Sequence, residues 1–162
     1  MKNIVTLCLI LIVVSGFSQA EKGQSRLGVR MGILQGVSFQ YYFNDNLALE
    51  SIGAVYRWDP AFFIFAQYHT LDITSDEQLR LVTSAGVHVG YFNGYKNTDW
   101  FPDYDDQQNA FLISGLDLQV GIDYDFSEFP LNLCLEFRPA YNLINHSGYW
   151  YGLALSVRYV FR

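Results

Sequence analysis

The chain has 162 residues, of which 51% are apolar and 17% aromatic, and carries a formal net charge of −6. An acidic balance with a pI near 4.8 leaves no basic footprint for nucleic acid. Its length suits a single domain, and beyond the first twenty residues no apolar run approaches the roughly 18 residues of a spanning helix.

The opening stretch, MKNIVTLCLILIVVSGFSQA, sets Lys2 before an apolar run from Ile4 to Val14 and ends on Ser18-Gln19-Ala20, a small-x-small cleavage sequence. That run is too short to cross a bilayer, so residues 1–20 read as a secretory signal peptide and 21–162 as one exported domain. Cleavage removes Lys2 and leaves 142 residues with 9 basic and 16 acidic side chains, a net charge of −7. Cys134 is then the only cysteine, and no internal disulfide can form.

Abundant Tyr and Phe among many glycines favour strands. Eight are predicted, at 25–34, 36–43, 47–57, 61–71, 79–92, 111–126, 130–143 and 149–162. Short turn sequences, NDN at 44–46, DITSDEQ at 72–78 and SEFP at 127–130, follow the even-numbered strands. The odd-numbered strands are followed by QG at 35–36, WDP at 58–60, the long segment 93–110 and NHSG at 145–148. Transmembrane barrels likewise gather short turns at one end and longer loops at the other.

Side chains alternate between the two faces of a strand. In YWYGLALSVRYVFR, residues 149–162, one face takes Tyr149, Tyr151, Leu153, Leu155, Val157, Tyr159 and Phe161, and the other takes Ser156 and Arg158. The same split sets Leu131, Leu133, Leu135 and Phe137 against Asn132, Glu136 and Arg138, and Leu116, Leu118, Val120 and Ile122 against Asp117 and Asp123. Phe63 and Phe65 break the pattern by falling on the polar face.

An eight-stranded lumen is only wide enough to be filled by side chains, so the bulky apolar set cannot converge there from every strand. It belongs outside, against lipid, and the polar face belongs inside. Gly28, Gly32, Gly86, Gly90, Gly121 and Gly152 fall on that crowded face. There Arg26, Arg30, Arg80, Arg138 and Arg158 balance Glu50, Asp117, Asp123, Asp125 and Glu136, as buried charge requires. Simple hairpin registers align Arg30, Gln40 and Glu50 with His69 nearby, bring Asp117 toward Arg138, and set Glu136 diagonal to Arg158. His88 joins the same interior network. Tyr41, Phe43, Tyr124, Phe126, Tyr159 and Phe161 gather at the short-turn end, and Tyr56, Trp58, Phe62, Tyr91, Tyr149 and Tyr151 at the other, as in the aromatic girdles of barrel proteins.

LGVRMG at 27–32, ALE at 48–50, GVHVGYF at 86–92 and GLALSVRYVF at 152–161 resemble the pattern of small eight-stranded outer-membrane β-barrels. The likeness is to the outer membrane protein A transmembrane-domain type, and especially to the compact barrels of Bacteroidetes-like bacteria. It implies an all-β, antiparallel up-and-down barrel with a porin-like fold in the outer membrane of a Gram-negative cell. The expected partners are outer-membrane lipids and lipopolysaccharide, with the assembly machinery during insertion, and the expected state is a monomer. The closing aromatic Phe161 looks like the insertion signal of that group, although Arg162 follows it.

No catalytic, cofactor or metal site is read from the sequence. His146 and Ser147 are adjacent, whereas a lipid A deacylase-like barrel would separate such a pair by one residue. Asp99, Asp103, Asp105 and Asp106 in the 93–110 segment could hold a hard cation or meet a partner, but their spacing is not that of an EF-hand, and a solvated acidic loop accounts for it. The expectation is a non-enzymatic barrel with a structural or surface-recognition role and no large pore. The alternatives are a lipid-modifying barrel enzyme and a soluble lipocalin-like binder.

Overall fold

The computed structural model describes residues 22–56, 59–71, 78–92, 111–144, 148–149 and 152–161. Their regular structure is entirely β: β1 Ser25–Gly32, β2 Gln35–Tyr42, β3 Leu47–Tyr56, β4 Asp59–Leu71, β5 Leu79–Phe92, β6 Phe111–Asp125, β7 Leu131–Phe137, β8 Ala140–Asn142, β9 Gly148–Tyr149 and β10 Leu153–Phe161. Every strand pairing in the wall is antiparallel. The β5–β6 pairing links β5, the first strand in the order β5-β4-β3-β2-β1-β10-β7-β6-β8-β9, back to β6, so the sheet closes on itself.

Ten segments make eight staves. β7 and β8 both pair with β6, in one continuous register from Val120↔Phe137 to Asp117↔Ala140. They are separated because Pro139 has no N–H to give. Its carbonyl still accepts from the Leu118 N–H at 3.0 Å. β9 and β10 form the last stave, but β10 pairs Leu153 with Phe137 while β9 pairs Tyr149 with Ala140, an offset of one residue. The apolar row read as unbroken from Tyr149 to Phe161 is therefore interrupted in register. The molecule is a closed eight-stranded antiparallel barrel.

Three turns differ from their sequence reading: Asp59 and Pro60 of WDP open β4, Gly148 of NHSG belongs to β9, and the first turn shifts as well. QG at 35–36 lies within β2, and the connection from β1 falls at residues 33–34. Gly36 is there for close approach between strands, since a Cβ on it would meet the Gly53 carbonyl oxygen at 2.2 Å. Other lumen-facing glycines make room for a large neighbour. Gly86 lies opposite Phe65 and Gly115 opposite His88, and the rings occupy the space an alanine methyl would need, 2.5 and 2.6 Å away.

Burial inverts the usual order of a water-soluble protein. Leu27, Val29, Leu49, Ile64, Val87, Leu118 (62%), Ile122, Leu135 and Leu153 (59%), drawn from staves around the whole wall, point outward and are exposed. Arg26, Arg30, Gln40, Glu50, His69, Arg80, Asp117, Asp123, Glu136 and Arg158 point inward and are buried. Outward hydroxyls turn back onto the wall, Ser51 Oγ to the Phe39 carbonyl at 3.4 Å and Thr83 Oγ1 to the Tyr68 carbonyl at 3.5 Å.

Candidate functional site: the polar lumen

Three arginines organise the interior. Arg158 on β10 reaches across the lumen to β3, donating from Nη2 to Glu50 Oε1 at 2.5 Å, from Nε to Ser38 Oγ at 3.0 Å and from Nη1 to Asn132 Oδ1 at 3.1 Å. The other Glu50 oxygen accepts from Gln67 Nε2, and Gln67 in turn accepts from Gln40. Arg26 on β1 crosses to β6, donating to Asp123 at 3.0 Å and Asp125 at 2.8 Å, with its guanidinium 4.6 Å from the Tyr42 ring centroid. Asn132 Nδ2 ties those two carboxylates together at 2.8 and 2.9 Å. Arg30, also on β1, donates from Nε to Glu136 at 2.6 Å, and Gln119 donates to the other Glu136 oxygen at 2.6 Å.

Such density has an electrostatic reason. A charge buried alone is expensive, whereas one that is both paired and hydrogen-bonded is tolerated. Each of the three guanidiniums meets an acidic side chain, and neutral amides and hydroxyls take up further capacity.

Toward the end that carries the 93–110 connection, His88 lies between Asp117 Oδ2 (2.6 Å from Nδ1) and Asn142 Oδ1 (2.7 Å from Nε2). Both ring nitrogens are thus engaged by neighbours. Arg138 stands 3.7 Å from Asp117 and stacks on Phe63, 4.1 Å from the ring centroid. At the opposite end His69 contacts Tyr42 Oη at 3.1 Å and Gln40 Nε2 at 3.3 Å, and Arg80 lies 4.0 Å from Asp125.

The pairings differ from the hairpin reading in two places. Arg26, not Arg30, stands opposite Gln40, while Arg30 stands opposite Gly36. Gln40 does face Glu50. Glu136 meets Arg30 rather than Arg158, because the β10 register puts Ala154 beside Glu136 and Asn132 beside Arg158. Both differences follow from the β1–β2 turn lying before Gln35 and from partners that meet across the lumen instead of along one ladder. Sequence reasoning missed Ser38, Gln67, Gln119, Asn132 and Asn142 as network members. Their inward parity was the available signal.

Among the described residues no group of three or more His, Cys, Asp or Glu is arranged to hold a metal ion. Asp99, Asp103, Asp105, Asp106, His146 and Ser147 lie outside the described residues, as do residues 1–20, Trp58 and Tyr151. At the short-turn end three exterior ring pairs meet edge to face, Tyr41–Phe43 at 5.4 Å, Tyr124–Phe126 at 5.0 Å and Tyr159–Phe161 at 4.9 Å.

A closed eight-stave barrel, apolar outside and salt-bridged inside, defines the class of small antiparallel up-and-down barrels. Among solved structures the chain is similar to the N-terminal β-barrel domain of Pseudomonas aeruginosa OprF, with a TM-score of 0.68 over 88% of this chain and 100% of that one, at 18% sequence identity. At that identity the likeness is one of fold. No protein-family model and no curated protein matches the sequence.

Proposed function

We propose that the protein is an integral outer-membrane barrel, exported by its N-terminal signal peptide and anchored by its apolar exterior. Its role is structural or one of surface recognition, without catalysis and without an open pore. A single observation carries the reading: the outward face of the closed wall is apolar on every stave, while the arginines and their carboxylate partners fill the inside. In water this arrangement would expose large apolar side chains all round, far beyond the patches that soluble monomers tolerate. In hydrocarbon it satisfies every staved backbone group, because a closed barrel has no free edge.

The exterior aromatics at the strand ends supply the interfacial girdle, and the chain acts as a monomer embedded in lipid and lipopolysaccharide. The paired-up lumen supports exclusion of solutes, since the space inside eight strands is filled by side chains. The 93–110 segment, with its four aspartates, supplies the surface for recognition. Cell fractionation followed by gel electrophoresis with and without boiling tests this. A band in the outer-membrane fraction whose mobility changes on boiling is expected. Recovery in the soluble fraction without detergent overturns it.

A further inference from the structure

The lumen changes chemistry along its length. Its centre is ionic, as described, but on the side nearer the 93–110 connection Ile52, Ala54, Ala61, Phe63, Phe65 and Ile113 form a buried apolar cluster inside the barrel. Phe63 and Phe65 stack with centroids 6.4 Å apart and planes within 14° of parallel. Arg138 closes over them, its guanidinium 4.1 Å from the Phe63 centroid and 5.8 Å from that of Phe65. The His88 ring, fixed by Asp117 and Asn142, packs on Phe63 at 5.7 Å.

Nothing in the ionic centre requires these rings. Each occupies an inward position that the polar pattern would otherwise fill. Phe65 is fitted against Gly86, where a methyl group would lie 2.5 Å from its ring, so a smaller side chain in its place would open a gap. An apolar constriction stops ions by a different route from a salt-bridged one: water leaves it, and a hydrated ion finds no replacement ligands. A guanidinium held on ring faces by cation–π attraction caps it.

We propose that the lumen is sealed twice, by the ionic centre around Glu50 and Arg158 and by an outer apolar seal of Phe63 and Phe65 capped by Arg138, each sufficient alone to block small ions. This rests on the reading of the protein as a barrel without an open pore.

Conductance across planar lipid bilayers in potassium chloride separates the two ideas, with boiling-sensitive gel mobility checking that each variant is folded. The wild-type barrel is expected to be silent; discrete steps from it would sink the closed-lumen reading itself. The pair Glu50→Ala with Arg158→Ala removes both central charges together and is expected to stay silent, as is Phe63→Ala with Phe65→Ala. Steps appear only when the two pairs are combined. A conducting central pair, with the wild type silent, overturns the second seal and leaves the closed-lumen reading standing; so does a folded combination that stays silent. Where the central alanine pair does not refold, Glu50→Gln with Arg158→Gln replaces it, with the same outcomes.

Discussion

Arg158 on β10 stands directly opposite Gly28 on β1, and the missing side chain of one makes space for the backbone of the other. A Cβ on Gly28 would lie 2.0 Å from the Val157 carbonyl oxygen and 2.5 Å from Arg158 Cα. The seam where the first and last staves meet is therefore drawn tight at the level where Arg158 leaves β10 for Glu50. Gly28→Val should push the staves apart and destabilise the folded barrel by about 1–3 kcal/mol, the usual penalty of overpacking. A lowered urea midpoint for loss of the compact gel band would register it, and an unchanged midpoint would mean that the seam relaxes freely.

The Arg158–Glu50 contact joins residues 108 apart in sequence across the lumen, with both side chains fully buried. Glu50→Ala leaves the guanidinium with its hydroxyl and amide partners but no countercharge at that contact. Breaking a buried pair in this way costs about 3–5 kcal/mol. Adding Arg158→Ala should recover part of the loss, so the two changes together destabilise less than the sum of each alone. Urea titration of the four proteins in a double-mutant cycle measures the coupling, and strictly additive effects would contradict a direct tie.

Leu118 is 62% exposed on the outer face of β6. On a water-soluble protein Leu118→Arg would be close to neutral. On a lipid-facing wall it should disfavour insertion by about 2–4 kcal/mol near the midplane. Folding yield and urea midpoint in phospholipid vesicles give the answer, with Ser127→Arg in the β6–β7 turn as the control expected to change neither.

These predictions also mark how far the sequence could be read. The inward parity of Arg158, Glu136 and Asp123 was legible because alternation is a local property of each strand. Phe63 and Phe65 sat on the inward face in the same pattern, and their parity was a sign of apolar filling rather than of an irregular strand. Gly36 read as a turn residue because glycine signals turns and close strand approach alike. The carboxylate partners of Arg26, Arg30 and Arg158 could not be read, since each lies two or three staves away, where ladder register says nothing and side-chain reach across the lumen decides.

Cys134 offers a probe of the interior without any change to the natural chain. It points inward on β7, buried to 1%, with Ser156 and Asp123 as its cross-strand neighbours. The plug formed by Arg158, Asn132 and Asp123 lies around it, so a water-soluble maleimide should fail to label it from either side of an intact vesicle. Labelling should become complete when urea unfolds the barrel, because Cys134 is the one cysteine of residues 21–162. In the Glu50→Ala, Arg158→Ala protein, labelling should begin without urea and only from the short-turn side, because Phe63, Phe65 and Arg138 still close the other end. Equal labelling from both sides in that variant would place the barrier entirely in the ionic centre. Mass spectrometry of protein labelled at timed intervals, with reagent confined to one side of the bilayer, reads the difference directly.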